Sequence, residues 1–274
     1  MTGIAEDAPA GHPVEVELKY RVTDPSTGER LITTDALGAM AATVGRLRTV
    51  HIEDHYVDTA AGTLAHAGFA VRLRQNGADT IVSVKSLART DAAGGAVRRE
   101  ELEGPADRLA PALDWPESDA RLLVIEHAGA EPLLERATIR QVRRKRILKA
   151  GLTRIELSLD AVDVTARGRI VGSFIELEAE LVKGDEAILA EVAQVFDAEP
   201  GLVRSTGSKL DAALAAVEGT GDHSGDLSTD DAGRDPALAG IARAPEPVPE
   251  LPAAEPAPPP RLSVGKTPGV VADD

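Results

Sequence analysis

Apolar and polar residues alternate with a period of two along most of the chain between Val14 and Val217, which predicts a mainly β domain. In the first such segment Glu15, Glu17 and Lys19 alternate with apolar residues, so charged and apolar side chains are expected on opposite faces of a strand. Eight strands are predicted in this way, over residues 14–22, 49–58, 69–76, 80–87, 97–104, 139–149, 153–164 and 173–183. Eight strands in one domain are typical of a barrel or of a curled antiparallel sheet.

Helical periodicity is confined to a few short segments, which are predicted at 34–44, 117–128, 185–196 and 208–217. The first of these helices is expected to be capped by Thr33 or Thr34. Each helix is long enough to cover an apolar face of the sheet but too short to form a bundle. Hairpin turns are predicted at 76–79 and around Ala150 and Gly151. The predicted fold is therefore a mainly β (α+β), eight-stranded antiparallel barrel or tunnel with covering helices.

The charged faces of the predicted strands keep acids and bases apart. Arg72 and Arg74 share a face of one strand, whereas Glu176, Glu178 and Glu180 share a face of another. Like charges at this spacing repel one another unless a group of opposite sign lies between them. Exposure to solvent explains any one such strand, but the same design in six strands favours a bound ligand.

The two kinds of face predict the chemistry of that ligand. Clustered carboxylates are suited to Mg²⁺ or Mn²⁺, and clustered Arg and Lys side chains are suited to phosphate oxygens. Together they predict a site for a metal ion and a polyphosphate. If the sheet closes with its charged faces inward, the interior is a polar tunnel and the apolar faces point outward to the helices. An open sheet leaves the same charges in water.

The composition excludes several classes of function. The 274 residues include no cysteine, so disulfides, thiolate metal sites and cysteine nucleophiles are absent. The net charge of −15 and the small number of aromatic residues argue against general binding of nucleic acid. No apolar run is long enough to span a membrane and the first residues do not form a signal peptide, so no membrane association and a cytoplasmic location are expected.

The composition also divides the chain into three parts. Residues 1–12 are predicted to be a flexible N-terminus, and residues 13–218 form the strand-rich domain. Residues 219–274 contain 10 of the 18 prolines of the chain and carry a net charge of −6. A segment of this kind buries too little apolar surface to offset its loss of conformational entropy. It is predicted to be a disordered, acidic, proline-rich tail or linker.

Other common catalytic and binding motifs are missing from the sequence. There is no phosphate-binding loop with a Gly-Lys-Ser/Thr ending and no Gly-x-Gly-x-x-Gly after a strand, so the usual nucleotide-binding folds are not predicted. The six histidines show no spacing typical of zinc sites. His51 and His55 are four residues apart on one predicted strand and are interpreted as ordinary surface histidines.

The arrangement of charged residues resembles that of the CYTH family, also called triphosphate tunnel metalloenzymes. The motif that carries the resemblance is Glu15-x-Glu17-x-Lys19 near the N-terminus. The order and spacing of several further segments also match the family, namely Tyr56-Val57-Asp58-Thr59, Phe69 to Arg74, Lys85, Arg99-x-Glu101-x-Glu103, a basic strand with Arg143, Glu156 to Asp160, Glu176-Leu177-Glu178 and Ser208-Lys209. The resemblance covers the whole predicted folded part.

By this resemblance, the triphosphate is bound by cations inside the tunnel, namely Lys19, Arg72, Arg74, Lys85, Arg143 and Lys209. The resemblance further implies a first Mg²⁺ or Mn²⁺ ion held by Glu176, Glu178, Asp160 and Glu101. Glu15 and Glu17 are implied to hold a second, weaker metal ion that generates the attacking water, and Lys85 is implied to assist the water or the transferred phosphoryl group. Asp58 and Tyr56 are interpreted instead as a turn residue and a packing residue.

The family includes inorganic triphosphatases, thiamine triphosphatases and class IV adenylyl cyclases, so the resemblance leaves the substrate open. The run 174–185 is most similar to bacterial family members that hydrolyse inorganic triphosphate and carry a helical CHAD domain. Metal-dependent hydrolysis of inorganic tripolyphosphate to pyrophosphate and phosphate is therefore the predicted activity. The alternatives are a class IV adenylyl cyclase and a non-catalytic polyphosphate-binding module. A homodimer and a C-terminal CHAD domain beyond the proline-rich segment are further expectations.

Overall fold

The computed structural model describes residues 13–33, 37, 43–77 and 79–219. The described strands are β1 (Val14–Val22), β2 (Thr43–Val44), β3 (Arg48–Asp58), β4 (Phe69–Asn76), β5 (Asp79–Ser86), β6 (Thr90–Asp91), β7 (Val97–Ala106), β8 (Leu134–Ala150), β9 (Thr153–Ala166), β10 (Arg169–Lys183) and β11 (Leu202–Arg204). The described helices are α1 (Pro25–Thr33), α2 (Thr63–His66), α3 (Asp119–Ala128), α4 (Ala187–Asp197) and α5 (Lys209–Gly219). The predicted N-terminal segment 1–12 and residues 220–274 of the predicted tail lie outside the described residues.

Eight long strands close into a barrel, as the sequence predicts. They follow the order β1, β10, β9, β8, β3, β4, β5 and β7, and β7 returns to pair with β1. Every pairing is antiparallel. The short strands β2, β6 and β11 extend β8, β7 and β1 at the margins.

The strand register places the charged positions inside this barrel. Lys19 on β1 lies opposite Glu178 on β10, and Glu176 on β10 lies opposite Asp160 on β9. Asp160 in turn lies opposite Arg143 on β8. Directly opposed residues share a face of the sheet, so these side chains line a common interior. The barrel has the predicted inverted design, with charges inside and apolar faces outside.

Helices cover the apolar outer faces on two sides. On one side α1 and α4 pack against β1, β9 and β10, where Leu18, Leu157 and Leu177 form a core with Phe196 of α4. On the other side α2 and α3 pack against β4, β5 and β7 in a second core. Burial of these surfaces is the main favourable contribution to the stability of the barrel.

The C-terminal helix α5 closes one end of the barrel. Tyr56, Ile139, Val162 and Val164 occupy inward positions of β3, β8 and β9 near that end, and they form a buried cluster with Ala213 of α5. The helix approaches β10 so closely that a Cβ atom at position 172, which is glycine, would lie 2.9 Å from the Cβ atom of Ala216. At the other end of the barrel the inward positions are charged and partly exposed. The interior is therefore a tunnel with one apolar, closed end.

The prediction of a helix over 34–44 is wrong at its C-terminal end. Residues 34–36 and 38–42 lie outside the described residues, but Thr43–Val44 form strand β2, which pairs with Leu148 and Lys149. The helix of this region is α1, which begins at Pro25. The side chain of Asp24 accepts a hydrogen bond from the backbone N–H of Ser26 at 3.0 Å, and proline fits the first position of a helix because its missing N–H is not needed there. The pair Asp24-Pro25 marks the start of α1, which hydrophobic periodicity alone does not reveal.

The other three helices begin and end within two residues of their predicted bounds. Helix α3 begins after Ser118 because the Oγ atom of Ser118 accepts a hydrogen bond from the backbone N–H of Arg121 at 3.1 Å. The hairpin predicted around Ala150 and Gly151 joins β8 to β9, and Gly151 adopts a positive φ of 58°. Among the described residues, no helix is long and apolar enough to cross a membrane.

Replacing Phe196 by alanine is expected to lower the free energy of unfolding by about 3–5 kcal/mol. Phe196 is fully buried and meets the ring of Tyr20 edge to face, with 5.3 Å between the ring centroids. Its loss leaves a cavity between α4 and β1. Urea unfolding followed by circular dichroism measures the change. The control Leu152→Ala alters a residue that is 90% exposed in the β8–β9 turn and should change stability little. A loss below 1 kcal/mol for Phe196→Ala would contradict the described packing of α4.

Candidate functional site

The structure brings all twelve sequence-predicted site residues into the tunnel. They come from seven strands and one helix, and the strand residues occupy inward positions of the register. The set comprises Glu15, Glu17 and Lys19 on β1, Arg72 and Arg74 on β4, Lys85 on β5, Glu101 on β7, Arg143 on β8, Asp160 on β9, Glu176 and Glu178 on β10, and Lys209 at the start of α5.

Three buried carboxylates converge on one ammonium group near the closed end. The Nζ atom of Lys209 lies 2.6 Å from Glu178, 2.9 Å from Asp160 and 3.4 Å from Glu176. All three acids are buried, with Asp160 and Glu176 fully so. Carboxylates on neighbouring strands meet here because Asp160 and Glu176 are directly opposed and Glu178 is two residues further along β10.

Arg143 and Lys19 complete this first cluster. The guanidinium group of Arg143 donates two hydrogen bonds to Asp160, at 2.8 and 2.6 Å, and a third to Glu178 at 2.9 Å. Lys19 lies 3.3 Å from Glu178 and 3.1 Å from Glu17. Of the five basic residues between Arg140 and Arg146, Arg143 and Lys145 both face inward, and Arg143 is the one that contacts Asp160 and Glu178.

These contacts separate the pKa values of the two glutamates of β10. Burial alone would raise the pKa of Glu178, but Lys209, Lys19 and Arg143 outweigh burial and hold this pKa well below its usual range. Burial has the larger effect on Glu176 and raises its pKa. Glu178 is thus the more strongly ionised of the two, which suits a carboxylate that is surrounded by cations.

A second cluster lies on the β1, β5 and β7 side of the tunnel. The Nζ atom of Lys85 lies 2.7 Å from Glu15 and 3.2 Å from Glu101. Arg72 lies 3.4 Å from Glu101 and donates a hydrogen bond to the hydroxyl of Ser83 at 3.0 Å. Burial would lower the pKa of Lys85, but Glu15 and Glu101 outweigh burial and raise it. Lys85 is therefore a cation inside the tunnel.

Some charged residues of the interior, Arg99 and Asp54 among them, are absent from the predicted set of site residues. Arg99 on β7 is buried and donates a hydrogen bond to Glu17 at 3.1 Å. It has the same parity as Glu101 and belongs to the motif Arg99-x-Glu101-x-Glu103, but it is not among the residues assigned to the site from the sequence. Asp54 on β3 is fully buried and contacts Arg72 and Arg74. No comparable pattern marks Asp54, because polar residues occupy both faces of β3 from His51 to His55.

Two further acids lie toward the open end. Glu156 pairs with Lys145 at 2.9 Å. Burial, together with the nearby charges of Glu15 and Glu17, raises the pKa of Glu180 to about 7. The open end therefore carries acids beside its cations.

The carboxylates of the first cluster have the donor chemistry for a divalent cation. Their oxygens are hard ligands and already converge on one position, which the Lys209 ammonium group occupies. In addition, the Oε2 atom of Glu176 is buried and makes no hydrogen bond. Within the part of the chain that the structure describes, no group of three or more acidic or histidine side chains is arranged as a ready metal site. The residues fit a metal ion once the side chain of Lys209 moves aside.

The residues interpreted as structural have structural surroundings. The carboxylate of Asp58 accepts hydrogen bonds from the backbone N–H groups of Thr59, Leu64 and Ala65 at 2.8–3.1 Å, which fixes the start of α2. Tyr56 belongs to the apolar cluster at the closed end. Neither side chain is therefore available as a ligand.

Comparisons with known proteins agree with the geometry of the tunnel. A family model described as the CYTH domain matches residues 14–213. This range includes every residue of the two clusters. No curated protein gives a significant match to the sequence.

Several solved structures are similar to the chain. A proposed adenylyl cyclase from Hippeastrum with a dominant triphosphatase activity is 20% identical, with a TM-score of 0.49 over 73% of this chain and 95% of that chain. A proposed adenylate cyclase from Bacillus halodurans is 16% identical, with a TM-score of 0.44 over 73% of this chain and 97% of that chain. The capping enzyme triphosphatase of Mimivirus is 12% identical, with a TM-score of 0.42 over 68% of this chain and 89% of that chain.

Proposed function

Since the chain belongs to the CYTH domain family, we propose that it is a metal-dependent triphosphatase that hydrolyses inorganic tripolyphosphate to pyrophosphate and phosphate. The observation that carries the proposal is the convergence of Lys and Arg side chains from β1, β4, β5, β7, β8 and α5 with carboxylates inside one closed barrel. Such an interior suits a small polyanion that bears several charges and a cation that partly neutralises it.

The positions of the aromatic residues favour an inorganic substrate over a nucleotide or thiamine triphosphate. The six aromatic residues of the chain all lie in its described part. Tyr20, Phe196, Phe69 and Trp115 belong to the outer cores, and Tyr56 and Phe174 pack at the closed end. Flat organic groups are commonly bound by stacking on aromatic side chains. The open end of this tunnel has no such surface.

In the proposed reaction the cations bind and orient the triphosphate. Arg72, Arg74, Arg143, Lys19 and Lys209 are assigned to the phosphate oxygens, where fixed positive charge also stabilises the charge that develops during in-line attack. Carboxylates hold these groups inside the tunnel before the substrate arrives. Lys209 is the one that must move when a metal ion takes the carboxylates that it contacts.

The carboxylates have two proposed roles. Glu176, Glu178 and Asp160, with Glu101, are assigned to a first divalent cation, and Glu15 and Glu17 to a second. A divalent cation bound there would neutralise phosphate oxygens and lower the pKa of water. Lys85, held between Glu15 and Glu101, is assigned to the transferred phosphoryl group or to the attacking water.

A substrate and metal matrix tests the proposal. Tripolyphosphate, ATP and thiamine triphosphate are each incubated with Mg²⁺, with Mn²⁺ or with EDTA, and released phosphate and cyclic AMP are measured. We expect rapid release of one phosphate per tripolyphosphate with Mg²⁺ or Mn²⁺, slower reaction with the two organic triphosphates, and no activity with EDTA.

Two results contradict this proposal in different ways. Formation of cyclic AMP from ATP without phosphate release from tripolyphosphate identifies a cyclase. Tight binding of tripolyphosphate without turnover at any Mg²⁺ or Mn²⁺ concentration identifies a binding module.

A cytoplasmic location, a homodimer and a C-terminal CHAD domain stay predictions, as do the predicted tail and the division of the chain into three parts.

A further inference from the structure

We propose that Asp54 is the positioning residue that aligns Arg74 and Arg72 for the triphosphate, an inference that rests on the proposed function. Asp54 is fully buried on the inward face of β3. The register places it directly opposite Arg74 of β4 on one side and Ile139 of β8 on the other. It therefore lies where the charged and the apolar parts of the tunnel wall meet.

The contact between Asp54 and Arg74 is bidentate. The Nε atom of Arg74 donates to Oδ1 and its Nη2 atom donates to Oδ2, both at 2.7 Å. Two parallel hydrogen bonds fix the plane of the guanidinium group as well as its position. The Nη1 atom takes no part in this contact. One edge of Arg74 is therefore held by the wall, and in the proposed function the remaining edge is assigned to the phosphate oxygens.

The same carboxylate also contacts two further inward side chains. Its Oδ2 atom lies 3.7 Å from Nη1 of Arg72 and accepts a hydrogen bond from Nε2 of Gln141 at 3.4 Å. Since an ionised carboxylate only accepts hydrogen bonds, Gln141 must turn its amide nitrogen toward Asp54. Its Oε1 atom is then left buried and without a hydrogen bond. One residue thus orients side chains from β4 and β8.

The neighbouring arginines keep the carboxylate of Asp54 ionised. Burial would raise its pKa, but Arg74 and Arg72 outweigh burial and lower it, so the carboxylate is ionised when the site is empty. Arg72 also shares its charge with Glu101, whereas Arg74 contacts Asp54. Both oxygens of Asp54 face these neighbours, so Asp54 acts through them and is not itself a group that touches the substrate.

Replacing Asp54 is expected to impair the binding of tripolyphosphate more than the chemical step. In Asp54→Asn the KM for tripolyphosphate should rise about 10- to 100-fold, because the arginines must be ordered when the substrate binds, while kcat should fall less than about threefold. Asp54→Glu keeps the charge but lengthens the side chain, and its KM should lie between those of the wild type and Asp54→Asn. The matched control Glu53→Gln removes an acid on the outer face of the same strand, paired with Arg140, and should leave both constants unchanged.

A double-mutant cycle separates positioning from a general structural effect. Since Asp54 acts mainly through Arg74 and also contacts Arg72, the rise in KM of the double variant Asp54→Asn with Arg74→Gln should be clearly smaller than the product of the two single rises. Additive losses, or a KM within twofold of the wild type in Asp54→Asn, overturn the inference. Circular dichroism confirms that each variant is folded, and Asp54→Glu takes the place of Asp54→Asn in the cycle if the asparagine variant is not.

Failure of the proposed function gives a different result. If the wild type binds tripolyphosphate without hydrolysis, the dissociation constant from calorimetry replaces KM in the same cycle and must show the same non-additivity. If the wild type neither binds nor hydrolyses tripolyphosphate, the proposed function falls and this inference falls with it. Hydrolysis by the wild type combined with additive losses overturns the positioning role alone.

Discussion

Replacing Glu178 by glutamine is expected to reduce hydrolysis of tripolyphosphate about a thousandfold or more, a loss of several kcal/mol of transition-state stabilisation. Glu178 is the acid that Lys209, Lys19 and Arg143 share, at 2.6, 3.3 and 2.9 Å. These cations outweigh the effect of burial and hold the pKa of Glu178 well below its usual range. The glutamine side chain has the same shape but lacks the charge.

The same variant should lose activity but bind tripolyphosphate more tightly when no metal ion is present. With Glu178 neutral, three cations lose their shared counter-charge, so tripolyphosphate should bind more tightly than to the wild type in EDTA. Calorimetry measures this binding, and phosphate release with Mg²⁺ measures turnover. Glu100→Gln, which alters an exposed acid on β7, is the control and should behave as the wild type. Retention of activity in Glu178→Gln would remove Glu178 from the proposed site.

Replacing Lys85 by alanine is expected to lower kcat by about two to three orders of magnitude. The ammonium group of Lys85 is the only described cation that contacts both Glu15 and Glu101, at 2.7 and 3.2 Å. Its loss leaves two acids without this shared partner and removes the cation assigned to the transferred phosphoryl group or the water. Single-turnover measurements with saturating tripolyphosphate report this loss without interference from binding.

Two further variants decide how the loss is interpreted. Lys85→Arg keeps the charge and should recover part of the activity if charge alone is needed. His51→Ala alters an exposed residue on the outside of β3 and should retain full activity. A loss of activity with His51→Ala, or full activity with Lys85→Ala, would mean that the site has been placed on the wrong face of the sheet.

The fold and most of the site could be predicted because charge alternation in a closed barrel is a local property. Along β1 every second residue from Glu15 to Arg21 is charged and the residues between them are apolar, so the face of each side chain follows from the sequence alone. The segregation of acidic and basic strands made an inverted barrel one of two possibilities, and the pairing of β7 with β1 decides between them by closing the sheet. Arg143 illustrates the limit of this reasoning, since alternation also places Lys145 inward and only the family resemblance distinguished the two.

Features that depend on distant contacts could not be predicted in this way. Nothing in the segment around Asp54 indicates that it faces Arg74, because the pairing of β3 with β4 decides this contact. The convergence of three acids on Lys209 depends on a helix that returns to the barrel from the far end of the domain. Helix α1 was missed for a different reason, since its start depends on the cap at Asp24 rather than on periodicity.

The apolar packing of α5 against one end of the tunnel affects how substrate enters and how products leave. Within the described residues, Ala213 packs among Tyr56, Ile139 and Val164 at one end of the barrel, and the partly exposed charged positions lie toward the other end. In the proposed reaction we therefore expect both products to leave through the same open end by which the next substrate enters. The enzyme should therefore show product inhibition by pyrophosphate that is competitive with tripolyphosphate, and opening the sealed end should relieve it.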